Sequence, residues 1–210
     1  MRIAIIHDWL TGMRGGEKCL EVFCGLFPHA DLFTLLHIPG TVSPLIESMS
    51  IHLPLVETKY RYYLPLMPQA IEQFDLKGYD LVLSSSHCVA KGVLLEQGAF
   101  HVCYCYTPMR YIWDQYDQYF KSGYSGRFSS TVMRLIVSRL RKWDVRSSES
   151  VDRFIAISKN VQKRIRAYYH CESDVIYPPV NTRFYTPGGE SVEDYFLVVS
   201  ALVPYKRIDL

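Results

Sequence analysis

The sequence predicts an α/β protein with an open, mostly parallel sheet and helices on both of its faces. Three observations lead there. Short apolar runs such as RIAIIHD, YDLVLSSS and FIAIS recur along the 210 residues, and continuous β-branched runs suit strands buried on both faces. Segments of helical periodicity lie between them, so strand and helix alternate. Several of the runs end in polar residues, which is where open sheets of this kind meet their ligands.

The elements follow in order. RIAIIHD is a first strand, and Gly15-Gly16 opens a helix, GEKCLEVFCGLF, with Leu20, Phe23, Cys24 and Phe27 on one face. ADLFTLLH is a second strand. Prolines at 39, 44, 54, 65 and 68 break up the region from 39 to 76, leaving a helix around Met67 to Phe74. YDLVLSSS and HVCYCYT are strands, the latter stopped by Pro108. A long helix is expected from about Phe128 to Ser148, with Phe128, Val132, Leu135, Ile136, Leu140 and Trp143 on its apolar side. FIAIS is a strand, Ser158 caps the helix KNVQKRIRAYY, and VIYPPV is the last strand of the domain. The arrangement is Rossmann-like.

The expected division is a domain at 1–177, a proline-rich hinge at 178–192, and at 193–210 the truncated start of a second α/β domain, opened by the strand YFLVVS. One strand and under two helical turns cannot bury a core alone.

Composition narrows the class. Hydrophobic residues are 49% and charged residues 21%, a globular balance. No apolar run approaches the ~18 residues of a membrane span. The N-terminus enters a strand directly, without a signal-peptide pattern, so a cytoplasmic protein is expected. The six cysteines include no C-x-x-C pair; they are read as buried free thiols with no metal site, zinc or a disulfide at Cys103 and Cys105 being the alternative. The net charge is only +2, yet Lys121 to Arg146 holds seven basic residues and one acid, +6 locally. Arg127, Arg134 and Arg141 recur every seven residues there. The two readings are a solvated helix face and a face turned to anionic lipid head groups. No nucleic-acid motif accompanies the charge.

The strand-end rule selects the candidate residues. They are His7 and Asp8 with Gly15 and Gly16, Ser84 to His87 followed by Lys91, Tyr106 to Pro108 with Arg110, and Ser158. Paired glycines let a backbone approach a ligand, and a helix start favours an anion; a plain turn is the alternative. His87 suits a hydroxyl or a proton transfer, or else a structural hydrogen bond. Arg110 suits a bidentate grip on phosphate, or an ion pair with Asp114 four residues on.

Taken in order, RIAIIHDWLTGMRGGE, SSSHCVAKGV, HVCYCYTPMRYIWD, FIAISKNVQKRI, VIYPPVNTRFYTP and VVSALVPYKRIDL resemble family-4-type retaining glycosyltransferases of the two-domain GT-B fold, mannosyltransferase-like members in particular. The resemblance covers essentially the whole chain and implies its N-terminal, acceptor-side half. It implies a hexose, mannose from GDP-mannose, transferred to a lipid-linked or polysaccharide acceptor, with no cofactor beyond the nucleotide-sugar. Gly15 and Gly16 would approach the donor. Lys206 would stabilise the leaving diphosphate, and Asp8, His87, Lys91 and Arg110 would line the acceptor side. Tyr106 stands where many relatives carry a histidine that contacts the donor sugar. Ala201 stands where an arginine often precedes the lysine, and the family's paired glutamates would lie past Leu210. The 210-residue chain is therefore expected to be inactive alone. The basic stretch implies a peripheral position on the inner face of the membrane. The competing reading is a non-catalytic Rossmann-like protein that holds a sugar or lipid phosphate. An epimerase-type nucleotide-binding domain is disfavoured by the absence of G-x-G-x-x-G and Tyr-x-x-x-Lys.

Overall fold

The computed structural model describes residues 1–54, 64–114, 127–188, 194–200 and 208, with backbone only at 64 and 127–133. Seven strands form one sheet in the order β3-β2-β1-β4-β5-β6-β7, and every pairing is parallel. The strands are β1 (Ile3–His7), β2 (Asp31–Thr34), β3 (Ser50–His52), β4 (Leu81–Ser86), β5 (Phe100–Cys105), β6 (Arg153–Ala156) and β7 (Ser173–Val175). The helices are α1 (Gly15–Leu26), α2 (Pro44–Glu47), α3 (Met67–Ile71), α4 (Arg127–Arg146) and α5 (Lys159–Tyr169). The α/β, Rossmann-like expectation is met.

The helices divide between the two faces because side chains alternate along each strand. Ile5 and Leu32 pack with Leu20 and Cys24 of α1 and Ile46 of α2. Ala4, Ile6 and Val82 point the other way, onto Met67, Ile71, Val137 and Leu140 of α3 and α4. Cys103 and Cys105 join that second face beside Phe154 and the α5 residues Val161, Ile165 and Tyr169. Ser158 caps α5, its hydroxyl accepting the Val161 N–H at 3.2 Å, as its type and place predict.

Four local expectations change. The proline-rich stretch holds a short edge strand, β3, which the sequence did not signal. The last strand is Ser173–Val175, because Pro178 and Pro179 cannot continue a ladder. Among the described side chains of α4 the buried ones are Val137, Leu140 and Asp144, with Ser148 buried just past its end, whereas Leu135 is 68% exposed. The apolar stripe is therefore rotated from the one expected. YFLVVS is not a strand: residues 196–199 carry no regular secondary structure and are exposed.

The chain divides into two compact units, Met1–Pro179 and Val180–Leu210. In the second, Asn181 Oδ1 accepts the N–H groups of Arg183 and Phe184 at 3.1 and 3.2 Å, a local turn.

Candidate functional site at the switch point of the sheet

From β1 the chain moves to β2 and β3 on one side, then returns to lay β4 on the other side of β1. Connections diverge at that point, and the crevice outside the carboxyl ends of β1 and β4 is the expected ligand position. His7 pairs in register with Ser85, and Tyr106 follows β5, its N–H bonded to Ser86 O at 2.9 Å. The polar ends of three adjacent strands therefore meet there.

Asp8 organises the first half of the site. Its carboxylate is fully buried and accepts four successive backbone N–H groups, from His87, Cys88, Val89 and Ala90, at 2.7, 3.0, 2.6 and 2.8 Å. Nδ1 of His87 lies 2.9 Å from Asp8 Oδ2. Burial alone would raise the Asp8 carboxyl, but the His87 ring and these donors hold it well below the usual carboxylate range. Facing a carboxylate, Nδ1 of His87 carries a proton and donates it to Asp8. His87 keeps 28% of its side chain exposed and meets Trp9 edge-on at 4.4 Å between ring centroids. This is an imidazole oriented by Asp8 and part-exposed just past the end of β4.

The second half is a hydrogen-bonded chain. Tyr106 donates its hydroxyl proton to Gly16 O at 2.9 Å and lies 2.8 Å from Ser85 Oγ. Ser85 Oγ is 3.0 Å from His7 Nδ1. The start of α1 is thus tied to the ends of β4 and β5. Burial lowers the His7 pKa to about 4, against the opposing pull of Asp8, and burial raises the Tyr106 hydroxyl. Both groups are neutral near pH 7. Gly15 is exposed, and a Cβ there would meet nothing within 4 Å. A Cβ on Gly16 would sit 3.7 Å from His7 Cε1 and the Tyr106 ring, an ordinary contact. The domain's own packing therefore does not demand the glycine pair.

The other expected residues are placed as follows. Arg110 is exposed just past β5. Asp114 does not pair with it; its carboxylate accepts from Arg164 and from the Tyr168 hydroxyl. Lys91 does not line the crevice. It is buried, with Nζ 2.9 Å from Asp144 Oδ1 and 2.7 Å from Asp144 O, between the rings of Trp143 and Tyr169. It ties α4 to the turn after β4. Arg141 does not face outward, because its Nε donates to Ile112 O at 2.7 Å and its guanidinium lies over Trp113. Arg134 is exposed. Lys206 lies outside the described residues, as does the side chain of Arg127.

Two buried groups escaped the sequence reading. Asp144 accepts from Trp113 Nε1 and the Tyr169 hydroxyl as well as Lys91; its signal was being the one acid in a basic stretch. His101 is fully buried, 2.8 Å from Ser84 Oγ, with Nδ1 3.2 Å from Ser150 O. Among the described residues no cluster of three or more His, Cys, Asp or Glu is placed to hold a metal, and no helix is long and apolar enough to cross a membrane.

The sequence matches the Glycosyltransferase Family 4 domain over residues 21–184, a span that runs from α1 past β7 and includes β4, β5 and His87. The chain belongs to glycosyltransferase family 4. Among solved structures, the apo form of a lipopolysaccharide outer core galactosyltransferase, WaaB, is similar with a TM-score of 0.45 and 13% identity, over 86% of this chain and 46% of that one. The chain spans a little under half the length of that structure. No curated protein matches it. The residues gathered at the ends of β1, β4 and β5 are His7, Asp8 and Gly16, which precede the matched span, and Ser85, His87 and Tyr106, which lie within it.

Proposed function

We propose that this chain carries the acceptor-side half of a retaining glycosyltransferase. It would move a hexose, with mannose from GDP-mannose the first donor to try, onto a hydroxyl of a lipid-linked or polysaccharide acceptor. The observation that carries this reading is the family-4 match over most of the first unit. The Asp8–His87 pair gives it a chemical focus, because a ring whose Nδ1 proton is held by a buried carboxylate offers Nε2 to an incoming hydroxyl.

The roles divide by position. His87 Nε2 receives the acceptor hydroxyl. Arg110, exposed at the same rim, grips a phosphate of the acceptor carrier. Gly15 and Gly16 present the start of α1 to the donor, with Tyr106 holding that turn in place. Lys206 neutralises the leaving diphosphate. A peripheral membrane position remains part of the reading, on the basic composition of residues 121–146 and without Arg141.

The test is an assay of the complete gene product with GDP-mannose, UDP-galactose and UDP-glucose against a polyprenyl-diphosphate-linked sugar. The product's anomeric configuration is read by NMR. Transfer with retention supports the reading. Binding of a sugar nucleotide without transfer favours the non-catalytic alternative.

A further inference from the structure

One buried carboxylate on α4 takes hold of two turns that lie apart in the sequence. Asp144 is fully buried. Lys91 Nζ lies 2.9 Å from its Oδ1 and 2.7 Å from its carbonyl oxygen. Trp113 Nε1 donates to its Oδ2 at 2.7 Å, and the Tyr169 hydroxyl donates to the same oxygen at 2.9 Å.

The two turns are those that carry the polar residues after β4 and β5. Lys91 directly follows the run 87–90 whose N–H groups Asp8 gathers, so that turn is pinned at both ends. Trp113 belongs to a turn in which its own N–H bonds Met109 O at 3.3 Å and the Asp114 N–H bonds Arg110 O at 3.2 Å. Arg110 in that turn is exposed. α4 grips the turn a second time through Arg141, three residues before Asp144. Its Nε donates to Ile112 O at 2.7 Å, and its guanidinium lies 5.2 Å from the centre of the Trp113 ring.

The two turns depend on Asp144 unequally. The His87 turn keeps its Asp8 anchor whatever happens at Asp144. The Arg110 turn reaches that carboxylate through Trp113 alone among the described residues. An indole has a single N–H, and a bond from it to a carboxylate is strong and directional, so it fixes how the ring lies.

We propose that Trp113, held by Asp144, is a positioning residue that sets Arg110 against the phosphate of a diphosphate-linked acceptor whose sugar hydroxyl meets His87. This rests on the acceptor-side reading of His87 and Arg110 and deepens it. α4 fixes the span between the two contacts, which favours acceptors that carry an anionic group at a set reach from the reacting hydroxyl.

The test uses the complete gene product, with whichever of GDP-mannose, UDP-galactose and UDP-glucose serves as donor. The acceptor sugar is supplied in two forms, linked to polyprenyl diphosphate and as a methyl glycoside, and KM and kcat are measured for each. The wild type is expected to prefer the diphosphate form. Trp113→Phe removes the N–H donor and should raise the KM of that form at least ~10-fold, leaving kcat and the KM of the glycoside unchanged. Arg110→Gln should do the same, and the double variant should add nothing, because both lose one contact. Tyr169→Phe takes a donor from the same carboxylate and leaves its ring beside Lys91; both KM values should stay at wild type. Arg141→Lys removes the Nε donor to Ile112 O and should raise the same KM, which provides a second variant if Trp113→Phe does not fold. Additive effects of Trp113→Phe and Arg110→Gln overturn the proposal. So do equal effects of Trp113→Phe and Tyr169→Phe, or a wild type indifferent to the diphosphate; each leaves the glycosyltransferase reading standing. Folded wild type that transfers to neither form from any of the three donors overturns both.

Discussion

Asp8 Oδ2 lies 2.9 Å from Nδ1 of His87, and the same carboxylate gathers the backbone N–H groups of residues 87 to 90. One buried side chain both folds the turn after β4 and aims the imidazole at its head. The orientation of His87 and the stability of the domain are coupled through it.

Asp8→Asn tests that coupling. An amide has one acceptor oxygen where the carboxylate has two, and its NH₂ would face backbone donors. Buried N–H groups left unpaired cost roughly 1–3 kcal/mol each, so unfolding in urea should occur at a clearly lower midpoint. An unchanged midpoint would mean that Asp8 is not the structural hub described.

Acid should weaken the fold through two histidines. Burial holds His7 and His101 at about 4, below the ordinary 6.5. Between those values the unfolded chain binds protons that the folded chain refuses. The stabilisation is complete above pH 6.5 and drains away as pH falls toward 4. Each histidine contributes about 3 kcal/mol at most. Denaturation midpoints should drop from pH 7 to pH 5, and His101→Gln should flatten that slope.

Gly92→Ala should be harmful for a reason local to α4. A Cβ there would lie 2.3 Å from Trp143 Cζ2. That ring cannot swing aside freely, since Nε1 donates to Glu72 Oε1 at 2.7 Å. Overpacking of this kind costs about 1–3 kcal/mol. Thermal melting should shift downward, with a change in tryptophan fluorescence.

Lys91→Ala separates a structural lysine from a ligand-binding one. It strands Asp144 in the core, and losing one partner of a buried pair costs about 3–5 kcal/mol. A large loss of stability is expected in equilibrium unfolding. A stable variant with altered acceptor binding would restore Lys91 to the crevice.

The sequence made the architecture readable where its signals were local. Apolar runs ending in polar residues placed β1, β4 and β5, and with them His7, Asp8, His87 and Tyr106 at one edge. The directions of side chains were less legible. Lys91 and Arg141 look like surface cations by type, yet Asp144 and the Ile112 carbonyl draw both inward across long sequence separations. The rotation of α4 is not legible because Asp144 occupies a buried position that hydrophobic periodicity would give to an apolar residue. β3 escaped notice because three residues among prolines carry too little pattern.

The most direct measurement compares the complete gene product with its His87→Gln variant in steady-state hexose transfer, varying acceptor and donor separately. The account predicts transfer by the wild type and a raised acceptor KM in the variant, with the donor KM unchanged. No transfer by folded wild type from GDP-mannose, UDP-galactose or UDP-glucose would contradict it. So would a variant altered in donor KM alone.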